Sequence, residues 1–358
     1  MPRTLGIDPG TITIDLCGLD GGVVFLDRSL PTRQALSDVP AFIALLRDAR
    51  AALIAGPSGY GLPLVPVEHA TESDLRLAYL AAQDDKGGIG GLRTLARAMR
   101  EAHLPVLFTP GVIHLASVPA ARKINRVDMG TADKVCAAAL GVHDQARRRG
   151  CAYADVSFIL LEMGGAFSAA LAVRDGRIVD GIGGTAGPMG AHAAGALDGE
   201  VAFLAGTITK EMLFGGGAAS IIGGTDGVAD RLACPRTGRE QMARDAVLES
   251  AVKAVASLCA VAPRPHEILL SGRLTHAEGL ARELRLRLSP FAPVRRLEGF
   301  AASAKEAAQG AALIADGLAG GPNAALVDAL GLRDAAGTVL DHLFVIPPDA
   351  ARRRLGID

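Results

Sequence analysis

The sequence predicts an α/β protein built from two similar lobes, and three observations lead to this prediction. The chain opens with a strand, a tight turn at Asp8–Pro9–Gly10–Thr11 and a return strand. A unit of the same kind recurs halfway along the chain, from Val156 to Val173, with Glu162 and Gly164–Gly165 at its turn. Elsewhere, short apolar runs typical of strands alternate with segments of helical spacing, such as the clear helix from Val135 to Ala146.

The opening turn has the composition of an anion-binding loop. Pro9 fixes φ, and Gly10 can adopt the positive φ that a side chain would resist. Such a turn directs consecutive backbone N–H groups and the Thr11 hydroxyl into one concavity, where an anion can sit. Asp8 would stand at the edge of this concavity and hold a hydrated Mg²⁺. On this segment alone, a plain hairpin with a surface aspartate is the alternative interpretation.

A charged segment precedes the helix that begins near Val135. Thr131 has the character of an N-cap, which would place Asp133 and Lys134 in the first helical turn. Asp133 would then lie near the positive end of the helix and stay ionised. Arg126 lies a few residues upstream and would supply positive charge. The alternative interpretation is a capped surface helix with solvated charges.

Composition and charge exclude several classes of protein. The net charge is -1, and no basic run is long enough to suggest a nucleic-acid or membrane surface. Aromatic residues are scarce at 4%, with no Trp, which argues against base stacking. The five cysteines form no Cys-x-x-Cys pair, so neither a zinc site nor a disulfide framework is indicated. No signal pattern or apolar run of membrane-spanning length is evident, so we expect a cytoplasmic protein.

Three segments occur in a fixed order along the chain: the first hairpin turn, the second hairpin turn and Leu269–Arg273. The chain resembles the actin, sugar-kinase and Hsp70 superfamily, which has two phosphate-binding hairpins and one adenosine loop. Within it, the sequence looks most like an uncharacterised group described as predicted butyrate kinases, relatives of acetate kinase. Ile124–Lys134 and Ala308–Leu318 carry that closer match, and the resemblance covers roughly residues 4–321. It implies two ribonuclease H-like lobes, the actin-like ATPase fold, with a nucleotide cleft between them.

The resemblance also implies roles for individual residues, with ATP and Mg²⁺ as cofactors. The predicted catalytic residues are Asp8, Asp133, Arg126 and Lys134, and the predicted metal ligands are Asp8 and Glu162. The residues predicted to contact the nucleotide are Gly10, Thr11, Gly164, Gly165, Ser168, Gly183, Gly184, Ser271, Gly272 and Arg273. The chain departs from the family pattern in three ways. Glu162 replaces the usual Asp, Arg273 replaces the usual second Gly, and acetate kinase's catalytic His and Arg find no match.

The resemblance implies a domain organisation and partners as well. We expect a first lobe over residues 1–150, completed by part of the C-terminal helix, a second lobe over 151–321, and a tail over 322–358 that contains a last strand near Leu340–Ile346. The expected partner is a small-molecule phosphoryl acceptor, with neither nucleic acid nor membrane. A homodimer is an expectation at the level of the family.

The functional hypothesis is an ATP-dependent phosphotransferase that acts on a small carboxylate or hydroxyl acceptor. Phosphoryl transfer depends on positioning and charge neutralisation, which Arg126, Arg122 or Lys123 would supply. Asp133 would orient or deprotonate a hydroxyl acceptor, whereas a carboxylate needs no base. One alternative is a nucleotide-binding regulatory or scaffolding protein with little turnover. Another is a different chemistry on the same fold, such as carbamoyl transfer or ATP-driven activation of a partner enzyme.

Overall fold

Two mixed β-sheets form the centre of the molecule. The structure is a computed structural model, and it describes residues 1–10, 12–56, 59–80 and 89–357. In this part of the chain the first sheet has six strands in the order β3-β2-β1-β4-β6-β5. Their bounds are β1 Arg3–Pro9, β2 Thr13–Asp20, β3 Val23–Pro31, β4 Leu53–Gly56, β5 Val65–Pro66 and β6 Val106–Phe108.

The second sheet repeats the pairing of the first. Its strands are β7 Phe158–Met163, β8 Ser168–Arg174, β9 Arg177–Ile182, β10 Glu267–Ser271 and β11 Val294–Arg296. Strands β7, β8 and β9 form an antiparallel meander, and β10 and β11 continue parallel to β7. Strands β1 to β4 and β6 are arranged in the same way. The predicted α/β fold with two similar lobes is confirmed.

Helices cover both sheets. Their bounds, within the described residues, are α1 Thr32–Ser37, α2 Val39–Asp48, α3 Glu72–Tyr79, α4 Ile89–Glu101, α5 Ala120–Lys123, α6 Ala132–Arg149, α7 Gly199–Ala205, α8 Lys210–Phe214, α9 Ala218–Ile222, α10 Val228–Ala233, α11 Gly238–Cys259, α12 Glu278–Leu288, α13 Glu306–Leu318, α14 Ala324–Leu330 and α15 Pro348–Arg354. No helix in these ranges is long and apolar enough to cross a bilayer.

Helices α6 and α13 pack against each other between the two sheets. Helix α13 follows the second sheet in sequence but packs on β1, where a Cβ at Gly6 would overlap the backbone of Ala308. Helix α6 follows the first sheet but packs on the second, where a Cβ at Gly141 would lie 2.7 Å from the Phe158 ring. A Cβ at Gly310 would overlap the backbone of Cys136. Small residues therefore permit the close approach that joins the lobes.

Three buried clusters make up the core. One lies behind each sheet, and the third lies between the sheets and contains α6, α13 and the inner faces of both lobes. The last segment of the chain joins this third cluster through Leu326, Leu330, Val339 and Ile357. Residues 322–357 are therefore packed against the lobes. The division at residues 150 and 321 stays a prediction.

The predicted last strand at Leu340–Ile346 is wrong. The segment consists of turns and irregular backbone. The backbone N–H groups of Phe344 and Val345 donate to the side-chain oxygen of Asn125, at 2.7 and 2.9 Å. A side chain thus accepts the hydrogen bonds that a neighbouring strand would have accepted.

Candidate functional site

A cavity of about 360 Å³ lies between the two lobes. It is bordered by both hairpin turns, by the loop after β10 and by the amino-terminal ends of α6 and α13. Several predicted site residues line it: Asp8, Gly10, Asp133, Lys134, Glu162, Gly164, Gly165, Gly184, Ser271, Gly272 and Arg273. The fold thus brings together segments separated by more than 250 residues.

The two hairpin turns meet across this cleft. A Cβ at Gly165 would lie 3.1 Å from Ile12 Cδ1 in the other lobe and 3.9 Å from Arg273 Cδ. The first turn is closed by Gly10 N–H, which donates to Thr13 O at 3.0 Å, and the second by Gly164 N–H, which donates to Phe167 O at 2.8 Å. The prediction for Thr11 lies outside the described residues.

Lys134 joins carboxylates of the two lobes. Its ammonium lies 2.6 Å from Asp133 Oδ2 and 2.8 Å from Glu162 Oε2. Burial acts to lower the pKa of Lys134, but the two carboxylates outweigh it and hold the pKa above its ordinary value. Burial likewise acts to raise the pKa of Asp133, yet Lys134 holds it below its usual range. For Glu162 burial prevails, and its pKa is raised despite Lys134.

Asp8 lies on the floor of the cleft, at the end of β1. It is 8% exposed, and burial, followed by the nearby Asp133 charge, raises the pKa of Asp8 to about 7. Lys305 and Lys134 oppose this rise, and Asp15, its cross-strand neighbour on β2, adds to it. The carboxyl group therefore changes its protonation close to neutral pH.

Lys305, just before α13, connects the C-terminal half of the chain to the first hairpin. Its ammonium lies 2.9 Å from Asp15 Oδ2 and donates to Thr13 Oγ1. Thr13 Oγ1 in turn donates to Asp15 Oδ2 at 2.8 Å. Asp15 is fully buried, so this lysine compensates a carboxylate beneath the cleft. The network fixes the first hairpin relative to the start of α13.

The loop after β10 approaches the second hairpin very closely. Gly272 has φ +87°, and a Cβ there would lie 2.5 Å from Met163 O. Ser271 is buried at the end of β10, and Arg273 is exposed above the cleft. Only glycine fits the position between them. The departure at Arg273 therefore leaves the Ser-Gly turn itself intact.

Three predicted site residues lie away from the cavity, as far as the described residues define its lining. Arg126 is exposed and is absent from the cavity lining. Ser168 is fully buried at the start of β8. Gly183 packs directly against Asp128, and a Cβ at this position would overlap the Asp128 carboxylate. Asp128 also accepts from the backbone N–H and hydroxyl of Thr185, at 3.0 and 3.1 Å.

The structure adds residues that the sequence did not single out. Lys305, Glu306 and Asp128 line the cavity together with the rings of Tyr60 and Phe167. A lysine and a glutamate at the start of a small-residue helix were a sequence signal for Lys305 and Glu306. The rings of Tyr60 and Phe167 belong to segments far apart in sequence, and no local motif at either residue indicates that it lines the cavity. Their position depends on how the lobes pack.

The donor set fits a hydrated Mg²⁺ bound through few protein ligands. Within the described ranges, no three His, Cys, Asp or Glu side chains form a group that could hold a metal ion. Mg²⁺ in phosphate sites commonly uses one or two carboxylates together with water and phosphate oxygens. Asp8 lies beside the hairpin turns, where it could serve as such a carboxylate ligand, and Glu306 lines the same cavity. Glu162 is already compensated by Lys134.

Solved structures share this architecture over most of the chain. The propionate kinase from Francisella tularensis subsp. tularensis SCHU S4 has a TM-score of 0.63 at 12% identity, covering 87% of this chain and 99% of that one. The acetate kinase of Porphyromonas gingivalis has 0.60 at 12%, covering 87% and 98%. That of Entamoeba histolytica has 0.58 at 10%, covering 80% and 86%.

These similarities define the class of the fold. It is the two-lobed α/β fold that these propionate and acetate kinases share, as the resemblance implied. At such low identity the similarity establishes the fold alone. The chain belongs to the family described as "Protein of unknown function (DUF1464)", whose pattern matches residues 6–345. No curated protein matches the sequence.

Proposed function

We propose that this protein is an ATP-dependent phosphotransferase that acts on a small-molecule acceptor bound between the lobes. One observation carries the proposal: both hairpin turns border the same cavity, together with Asp8 and Lys134. Backbone N–H groups of the turns would bind the β- and γ-phosphates, and the loop at Ser271–Arg273 would contact the adenosine. Catalysis would then rest on positioning and charge compensation.

Asp8, Lys134 and Glu162 have proposed roles in the cleft. Asp8 would bind the hydrated Mg²⁺, which neutralises charge on the phosphates. Lys134 would stabilise negative charge on the transferred group, because it lines the cavity and Arg126 does not. Glu162 is a second metal-ligand candidate, but it would first have to release Lys134 at 2.8 Å. Asp8 is therefore the principal candidate.

The acceptor we propose is a short carboxylic acid of the butyrate type. A hydroxyl acceptor needs a general base, and Asp133 is a poor one because Lys134 holds its pKa below the usual range. A carboxylate acceptor is already ionised and needs none. Apolar side chains beside the charged cluster would receive a short alkyl chain, namely Ile12, Leu92, Ala137, Phe167 and Phe214.

The test is an acceptor screen with MgATP. Acetate, propionate and butyrate are compared with small alcohols, ADP formation is followed, and hydroxylamine traps any acyl phosphate. We expect hydroxamate with at least one acid, and a loss of about 100-fold or more in kcat for Asp8→Asn. Asp20→Asn is the matched control, because Asp20 is exposed at the far end of β2. A folded protein that forms no product with any acceptor would refute the proposal.

A regulatory nucleotide-binding protein is the second candidate. The observation that favours it is the ion pair between Lys134 and Glu162, which occupies the carboxylate of the second hairpin. Such a protein would bind MgATP and melt at a higher temperature with it, yet convert no acceptor. The acceptor screen and a thermal melt with MgATP together separate the two candidates.

A further inference from the structure

A second cavity, of about 390 Å³, lies along the two helices that carry the cleft. Helix α6 contributes Leu140, His143, Asp144 and Arg147 to it, and α13 contributes Leu313. The remaining lining comes from the turn between β2 and β3 and from the segments on either side of α13. Its size is within the range of small-molecule sites.

One face of α6 connects the two cavities. Asp133 and Ala137 line the cleft, and Leu140, Asp144 and Arg147 line the second cavity. Their spacings of four, three, four and three residues place all five on the same side of the helix. The eleven residue steps from Asp133 to Asp144 correspond to about 16 Å of helix. The second cavity is therefore a separate site on a shared element.

Asp144 presents an unsatisfied acceptor at this cavity. The residue is 1% exposed, and its Oδ2 accepts from Arg295 Nη1 at 2.6 Å. Oδ1 has no hydrogen-bond donor among the described residues. Arg147 Nη2 lies 3.7 Å from it, which is too long for a hydrogen bond. A buried acceptor without a donor is costly, so a ligand N–H group would be favoured there.

Arg147 covers this oxygen but is itself available to a ligand. Its side chain is 63% exposed, and displacing it would open the way to Asp144. A planar guanidinium binds a carboxylate through two parallel hydrogen bonds. Glu298, the other acid in the lining, lies 3.0 Å from Arg148 and is compensated. The cavity thus offers one carboxylate oxygen and one guanidinium side by side.

Most of the remaining side chains in the wall are apolar: Leu19, Val24, Leu140, Phe300, Leu313 and Pro322. Besides the charged groups, the described part of the chain contributes the polar side chains of His143 and Asn323 to this lining. We propose that the second cavity binds a free α-amino acid with an apolar side chain. Its ammonium group donates to Asp144 Oδ1, its carboxylate accepts from Arg147, and its side chain packs against the apolar wall.

The experiment measures binding by isothermal titration calorimetry in the absence of nucleotide. The probes are L-valine, L-leucine, L-isoleucine and L-phenylalanine. For L-leucine, 4-methylpentanoate lacks the ammonium group and 3-methylbutylamine lacks the carboxylate. We expect saturable binding of at least one amino acid. For L-leucine we expect affinity to fall about tenfold or more when either charged group is missing.

Two neighbouring arginines provide the matched variants. Arg147→Ala should weaken amino-acid binding about tenfold, whereas Arg149→Ala should leave it unchanged, because Arg149 is exposed and outside the cavity lining. The proposal is overturned if none of the four amino acids binds, or if Arg147→Ala binds as the unaltered protein does. No nucleotide is present, so the outcome is independent of the proposed phosphotransferase activity.

Discussion

At the scale of single residues, the protonation of Asp8 links the stability of the protein to pH. The pKa of Asp8 rises from 3.8 to about 7, chiefly through burial. Between these values the folded chain retains a proton that the unfolded chain has released. The contribution of Asp8 to stability therefore falls as pH rises from about 4 to about 7, and is constant above that.

Replacement of Asp8 by Asn should remove this penalty. Without metal or nucleotide, we expect Asp8→Asn to melt about 2–4 °C above the unaltered protein at about pH 8. The difference should shrink towards about pH 5, where the unaltered protein keeps Asp8 protonated. Thermal melts across this range are the measurement. A difference that does not change with pH would show that burial does not raise the pKa of Asp8.

Lys134 is the residue on which the charge balance of the cleft depends. Lys134→Met would leave Asp133 and Glu162 without their common counter-ion, at the junction of the two lobes. Removing one partner of a buried pair typically costs about 3–5 kcal/mol. We expect a loss of that size in the free energy of unfolding, measured by urea denaturation at neutral pH.

Glu162→Gln is the control for this change, because it leaves the pair between Lys134 and Asp133 in place. Its loss of stability should be clearly smaller. Equal losses for the two variants would mean that Lys134 stabilises the cleft only through Glu162.

The location of a residue in the cleft could be predicted from the sequence where a motif fixes the local backbone, while its role stays a prediction. Asp8, Gly165 and Gly272 lie in turns whose local backbone places them, and each lines the cleft. Arg126 was predicted for its charge within a cationic segment, but its side chain is exposed and does not line the cavity. Lys305 and Asp15 meet only through tertiary packing, so no local pattern predicts their contact.

At the scale of elements, the loop after β10 is the most sensitive to substitution. Gly272→Ala would introduce a methyl group 2.5 Å from Met163 O at a backbone with φ +87°. We expect a loss of about 2 kcal/mol in the free energy of unfolding, together with weaker nucleotide binding. Urea denaturation measures the first effect, and calorimetry with MgATP the second.

Gly199→Ala provides the comparison, because Gly199 begins α7 and a Cβ there would contact nothing within 4 Å. It should be close to neutral. If Gly272→Ala were equally neutral, the loop would not be constrained by the second hairpin as its geometry indicates.

Elements were predictable where a periodic pattern coincides with a turn signal. Both hairpins and the small-residue helix α13 follow from sequence, the latter because its alanines and glycines suit close packing on β1. The segment Leu340–Ile346 has strand-like composition, but its backbone bonds to Asn125. A strand needs a partner edge, which composition alone does not reveal.

At the scale of the whole molecule, the internal repeat explains the architecture. Two sheets with the same pairing are joined by α6 and α13, each packed on the sheet that it does not follow in sequence. The repeat was visible in the sequence, and the resemblance implied that part of the C-terminal helix completes the first lobe. No sequence pattern indicated that α6 packs on the second sheet. The exchange of helices depends on tertiary packing, because α6 and α13 belong to a buried core that both lobes share. A change in the angle between the lobes would therefore act directly on the cleft.

The proposed function requires the two hairpin turns to bind one triphosphate from opposite sides. A crystal structure of the protein with Mg²⁺ and a nonhydrolysable ATP analogue is the decisive measurement. We expect phosphates between the backbone at 8–10 and the backbone at 164–166, with the metal beside Asp8. An analogue bound elsewhere, or one that contacts a single hairpin and leaves the other free, would contradict it.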